Sequence, residues 1–251
     1  GLIDQAVTLS DTVKVQRRVP DCDYITEANN RLWGCKYGLV DGEPVNEIYA
    51  CKLGDFKNWY SYMGLSTDSY AVSVGTDGVF TGAATLKGTP LFWKEGCVHR
   101  ITGYTPSTFT MTTTMCRGVQ DGSADSIAVV GEALMYKGRT DVMLYDGSQP
   151  VSISNALGDV RYHNASAGAY ADRYYISMQE QDGPWHFFVY DVQKGIWHRE
   201  DGMHAVHFAQ MDDELYFINA DTGELVAANG YDGTMEADLP WEAVFGKYGY
   251  D

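Results

Sequence analysis

The sequence predicts an all-β protein, a β-propeller of five or six four-stranded antiparallel blades. Three observations carry that expectation. Aromatic and β-branched residues fill short runs punctuated by glycine, aspartate and asparagine, which is strand-and-turn chemistry. Asp-Gly pairs stand at 41–42, 77–78, 121–122, 146–147, 182–183, 201–202 and 232–233. Glycine takes positive φ in tight hairpin turns without steric cost, so these pairs imply an antiparallel meander. Finally, a strand–turn–strand pattern recurs at a spacing near that of propeller blades.

The recurring segments are 91–103 (LFWKEGCVHRITG), 134–147 (LMYKGRTDVMLYDG), 175–195 (YISMQEQDGPWHFFVYDVQKG) and 215–229 (LYFINADTGELVAAN). Their first residues, Leu91, Leu134, Tyr175 and Leu215, lie 43, 41 and 40 positions apart. Each has a candidate lead strand before it, at 71–75, 126–131, 165–170 and 205–210. An earlier pair, 31–36 (RLWGCK) and 47–52 (EIYACK), fits the same template and is set off by a longer stretch, 53–69. Two short stretches, 132–137 and 203–211, have helix-like composition but adjoin strand signals and are assigned as strands. A four-stranded sheet is too small to bury both faces alone, so neighbouring blades must cover each other. The ends, 7–19 and 241–248, are also strand-like, and either close the ring by pairing with each other or begin a sixth blade. The expectation is one domain over 1–251, with a strand-like end compatible with a longer chain. The competing architecture is a two-sheet sandwich.

Charge narrows the function classes. The 251 residues carry 34 acidic and 18 basic side chains, a net −16. Nucleic-acid binding requires Lys and Arg to replace counterions, so no nucleic-acid partner is expected, and anionic membranes are disfavoured for the same reason. The one dense basic run, 14–18 (KVQRR), reads as a solvated strand edge. No apolar run approaches the ~18 residues that span a bilayer. The chain starts at Gly1 without a basic-then-apolar leader, which leaves a removed signal open.

Catalytic and metal patterns are sparse. Five cysteines at 22, 35, 51, 97 and 116 are an odd number without zinc spacing, read mostly as buried small hydrophobes in a reducing compartment. His204 and His207 would share a helix face, but on a strand they point to opposite sides. His186 reads as a packed or edge residue. GxSxG, P-loop and GxGxxG patterns do not occur. Clustered acids (Glu180 with Asp182, Asp212 through Glu214, Glu236 with Asp238) read as solvated turns. Asp221 to Glu224 superficially resembles the Asp-box of sialidase propellers, yet Asn219 and Val226 replace its flanking residues, so it reads as an ordinary turn. The tryptophans (33, 59, 93, 185, 197 and 241) read chiefly as blade packing. No cofactor or catalytic residue is expected.

One stretch resembles a known group. Arg31-Leu-Trp-Gly-Cys35, Asn46 to Cys51, and Leu53-Gly-Asp-Phe-Lys-Asn-Trp59 resemble a pattern of tailed-bacteriophage structural proteins: "RLW/F-G", then "I-Y-x-S", then "G/D-D-P-x-N-W". Cys51 stands where that pattern has Ser, and Phe56 where it has Pro. Phe188 to Trp197 resembles the "vYD-x-x-kG-x-W" unit of the same proteins. The resemblance implies a non-enzymatic virion component at the neck, tail or head-completion region. Such a component assembles in the bacterial host cytoplasm, usually as a ring oligomer, and its partners are other virion proteins. The alternatives are a carbohydrate-binding propeller that recognises a cell-surface glycan, a glycan-acting enzyme, and a generic interaction scaffold. Aromatic residues and Met are favoured interface anchors. Phe56, Trp59, Tyr60, Tyr62 and Met63 in the 53–69 stretch are therefore the candidate interface, capping the propeller or docking a neighbouring subunit.

Overall fold

The computed structural model describes residues 19–200 and 202–228. Among the described residues, nineteen strands form five antiparallel sheets, and helical structure is confined to two three-residue 3-10 turns. The first sheet is β1 (Tyr24–Ala28), β2 (Arg31–Val40), β3 (Glu43–Ala50) and β4 (Tyr70–Ser73). The second is β5 (Gly82–Leu86), β6 (Thr89–Lys94), β7 (Cys97–Thr102) and β8 (Thr110–Met115). The third is β9 (Ala128–Val130), β10 (Ala133–Lys137), β11 (Val142–Tyr145) and β12 (Val151–Ser152). The fourth is β13 (Tyr162–Tyr170), β14 (Arg173–Glu180), β15 (Trp185–Asp191) and β16 (Ile196–Arg199). The fifth has three described strands, β17 (Ala205–Met211), β18 (Glu214–Asn219) and β19 (Leu225–Ala227). Every sheet runs in sequence order, strand next to successive strand. This is the propeller-like arrangement, in one continuous meander per sheet.

Turn chemistry sets the hairpins. Asn29 and Asn30 join β1 to β2 with φ of 53° and 58°, and Asp41-Gly42 joins β2 to β3 with 51° and 87°. Two consecutive positive φ values match the twist of the flanking strands. Of the Asp-Gly pairs, 41–42, 146–147 and 182–183 connect paired strands, whereas 77–78 and 121–122 lie in connections between sheets. The pairs at 201–202 and 232–233 fall wholly or partly outside the described residues, as do the strand-like ends 7–19 and 241–248 and the basic run 14–18.

The core is four layers between successive sheets. Trp33 and Ile48 of the first sheet meet Phe92 and Ile101 of the second. Leu91, Trp93 and Val98 then meet Leu134, Tyr136, Met143 and Tyr145 of the third. Met135 and Val142 meet Tyr174, Ile176 and Phe188 of the fourth. Tyr175, Phe187 and Val189 meet Leu215 and Phe217 of the fifth. Neighbours in one strand thus serve opposite layers: Phe92 faces back while Leu91 and Trp93 face forward. Burial on both sides explains the unbroken apolar runs in β6 and β10, where strict alternation is absent.

One expectation is corrected. Residues 71–75 do not lead the second unit; 70–73 form β4, the last strand of the first sheet, paired Ile48 to Val72 and Tyr49 to Ala71. The lead strand is β5, whose small residues Gly82, Ala83 and Ala84 carry a weak strand signal. They are small because neighbours press close: a Cβ on Gly82 would lie 2.6 Å from Ile127 Cδ1.

Candidate protein interface

The 53–69 stretch joins β3 to β4 and folds around one buried cation. Arg31, at the head of β2, is 3% exposed. Its Nη1 donates to the carbonyls of Cys51 at 2.7 Å and Asp68 at 2.6 Å, and its Nη2 to Ser66 at 3.1 Å. The guanidinium also sits over the Phe109 ring, 5.6 Å from its centroid. Planar donors in a fixed fork suit three converging carbonyls in a way a lysine ammonium would not. Burial lowers the Arg31 pKa, and the neighbouring Cys51 and Asp68 oppose that shift.

The Asp68 carboxylate organises the far end of the loop. It accepts from the backbone N–H groups of Leu65 (2.9 Å) and Met63 and from the Ser61 hydroxyl (2.9 Å). These bonds, that of Leu65 foremost, hold its pKa below the ordinary value. Backbone bonds Leu53 N–H to Thr67 O (2.9 Å) and Lys52 N–H to Asn58 O (2.7 Å) close the loop at its base.

The candidate interface residues divide. Trp59 is 1% exposed and donates Nε1–H to Phe56 O at 2.8 Å, so it is the loop's internal support and presents no surface to a partner. Phe56, Tyr60, Tyr62 and Met63 are exposed, Met63 by 81%. Tyr62 is anchored by donating its hydroxyl to Trp59 O at 3.2 Å. An open groove of ≈ 440 Å³ beside Phe56 is lined also by Glu27, Arg31, Leu32, Cys51 and Leu53. Leu53 and Leu65 are exposed as well.

Cys51 sits at the base of this loop. Leu32 N–H donates to its Sγ at 3.0 Å, the bond a serine hydroxyl would accept at this position of the motif. All five cysteines are free thiols; Cys35, Cys51 and Cys97 are buried, and Cys22 and Cys116 are half-buried.

A second polar cluster, hidden from sequence reasoning, locks the first sheet to the second. Lys94 is buried, donates to Asn46 Oδ1 (3.0 Å) and Thr76 O (2.7 Å), and lies over the rings of Tyr37 and Phe80. Nearby His99 bonds Thr76 Oγ1 at 3.0 Å and Thr113 Oγ1 at 2.8 Å, and its Nε2 is 3.6 Å from Cys97 Sγ. Burial, helped by the Lys94 charge, pushes the His99 pKa down to about 4, so the ring is neutral at pH 7. Both its nitrogens are occupied, so the cluster acts as an inter-sheet tie.

The remaining sequence candidates stay apart. His186 is buried and bonds Glu180 at 3.1 Å. His204 precedes β17, and His207 lies where the β17 register shifts between Val206 and Ala209, with a φ of 53°. His204 stacks on Trp185, ring centroids 3.5 Å apart. In the Asp221 to Glu224 turn, Asn219 closes the hairpin by accepting Asp221 N–H at 3.0 Å. Glu236, Asp238 and Trp241 lie outside the described residues.

No protein-family model matches the chain, and no curated protein matches it. Among solved structures, the chain is similar to the crystal structure of the tricorn protease at 14% identity and a TM-score of 0.28, over 81% of this chain and 20% of that one. The chain therefore spans about a fifth of that protein's length.

Proposed function

We propose that this protein is a non-enzymatic structural or assembly component of a tailed-phage virion, acting through protein–protein interfaces at the neck or tail. In this reading the five sheets are blades of a ring of five or six, and the ring works as an oligomer among other virion proteins. The observation that carries it is the loop between β3 and β4: exposed Phe56, Tyr60, Tyr62 and Met63 on a base that Arg31, Trp59 and Asp68 hold rigid. Anchors fixed before a partner arrives lose little conformational entropy on docking. The resemblance of 31–59 and 188–197 to phage structural proteins supports the kind of assembly. A carbohydrate-binding role is the second reading, favoured by an arginine-lined groove between the third and fourth sheets.

The test is mass spectrometry of purified virions from an induced source culture. Peptides of this chain at stoichiometric abundance are expected. Their absence from intact particles, with the protein free in the lysate, overturns the virion reading.

A further inference from the structure

A groove of ≈ 380 Å³, at the small end of ligand clefts, opens where the third and fourth sheets meet. Two arginines line it from different elements. Arg139 lies in the turn between β10 and β11, and Arg161 lies in the connection leading into β13. Both are exposed, and neither has an ion-pair or hydrogen-bond partner for its guanidinium among the described residues. That is unusual in a chain with 34 acidic side chains. Arg117 and Arg173 pair with Asp141 and Asp191, and the Arg31 and Arg100 side chains are bonded to carbonyls. Burial and then the Glu180 carboxylate raise the pKa of the groove residue Tyr162, and the Arg199 guanidinium opposes that shift.

Gln120 also lines the groove, and its Oε1 is shielded from solvent without a hydrogen-bond partner among the described residues. Its backbone is fixed on both sides: Gln120 N–H donates to Lys137 O at 2.9 Å, and its carbonyl accepts Ser123 N–H at 3.0 Å. Across the groove, Gln181 N–H donates to Arg161 O at 2.9 Å, which ties the β14–β15 turn to the arginine's backbone. The walls are thus set before any ligand arrives.

We propose that this groove binds a hydroxylated carboxylate, an acidic sugar of the uronate type. Guanidinium groups match the planar carboxylate, and Asp182 on the groove wall accepts a sugar hydroxyl. The same Asp182 disfavours a phosphate dianion more than a uronate, because phosphate brings two negative charges where the uronate brings one. This site shares no residue with the interface loop, so its failure leaves the virion reading standing.

The test is calorimetric titration of the full chain with digalacturonate, neutral galactose and inorganic phosphate at low salt. Digalacturonate is expected to bind, galactose not measurably, and phosphate far more weakly. Arg139→Ala and Arg161→Ala each weaken digalacturonate about tenfold, the loss of one charge-assisted contact, and the double variant abolishes binding. Unchanged thermal midpoints confirm that these exposed substitutions leave the fold intact. No digalacturonate binding, binding that survives in the double variant, or phosphate binding as tight as digalacturonate would overturn the proposal.

Discussion

The Arg31 guanidinium donates a 2.6 Å hydrogen bond to the backbone carbonyl of Asp68, 37 residues further along the chain. That bond joins the head of β2 to the end of the loop, while the Asp68 carboxylate turns the other way to gather Ser61, Met63 and Leu65. One residue pair therefore converts a long connection into a rigid platform.

Removing the cation should collapse the platform. Arg31→Leu leaves the buried carbonyls of Cys51 and Asp68 without this donor, at about 1 kcal/mol or more each, while the exposed Ser66 can turn to water. A loss of about 2 kcal/mol or more in urea unfolding is expected, together with proteolytic cleavage between 53 and 69. A variant as stable and protease-resistant as the parent would refute this account of the loop.

Support and surface should separate cleanly. Trp59→Ala empties a fully buried site and costs about 3–5 kcal/mol. Tyr60→Ser and Met63→Ser stay within about 0.5 kcal/mol of the parent but weaken association with particles or neighbouring copies. Sedimentation and particle-incorporation assays read the difference, and undiminished association in the Tyr60→Ser/Met63→Ser double variant argues against an interface here.

Asp68 gives the loop an acid sensitivity. Its folded pKa lies below its ordinary value of 3.8, so its contribution is complete above that value and drains away as pH falls through the lower folded value. Loop proteolysis should therefore rise at low pH in the parent, and Asp68→Asn should show a flatter response. Identical acid limbs in the two proteins would count against the carboxylate's role.

His99 acts in a higher window. Its folded pKa of about 4 lies below the ordinary 6.5, so the unfolded chain binds the extra proton first as pH falls. Stability contributed by the neutral ring is full above pH 6.5 and is lost between 6.5 and about 4. Each tenfold change in proton affinity corresponds to about 1.36 kcal/mol, which puts the loss on the order of 3 kcal/mol. Thermal midpoints measured between pH 4 and 7 should slope in the parent and lose much of that slope in His99→Gln. An equal slope in both proteins would remove His99 as the source.

Contact between the fourth and fifth sheets depends on Gly168. A Cβ there would lie 2.6 Å from the Phe208 Cβ, so Gly168→Ala should destabilise by about 1–3 kcal/mol through overpacking. Coupling to Phe208→Ala in a double-mutant cycle checks the contact, and additive effects would contradict it.

Much of the sheet order was legible from residues. Leu91, Leu134, Tyr175 and Leu215 all fall in the second strand of their sheets, an inner strand that is rich in apolar residues. β5 was not, because Gly82, Ala83 and Ala84 serve close packing, and small side chains carry little strand preference. The loop's aromatic content was visible, but the division of Trp59 from Tyr60, Tyr62 and Met63 was not, since composition does not say which aromatic turns inward. Arg31 stands first in the RLWGC motif, yet its partners lie 20 to 37 residues away and left no local signal. The groove of Arg139 and Arg161 was equally hidden, being assembled from four separate segments of the chain.

By itself, the sequence determined the all-β class, the repeat near 40 residues, some of the hairpin turns and the acidic charge, because these follow from local side-chain chemistry and short-range turn geometry. Only the tertiary structure decided which polar groups are buried, which of them meet, and which remain unpartnered. Those outcomes depend on contacts between strands and turns far apart in the chain, where burial strengthens each hydrogen bond made and raises the cost of each one missing.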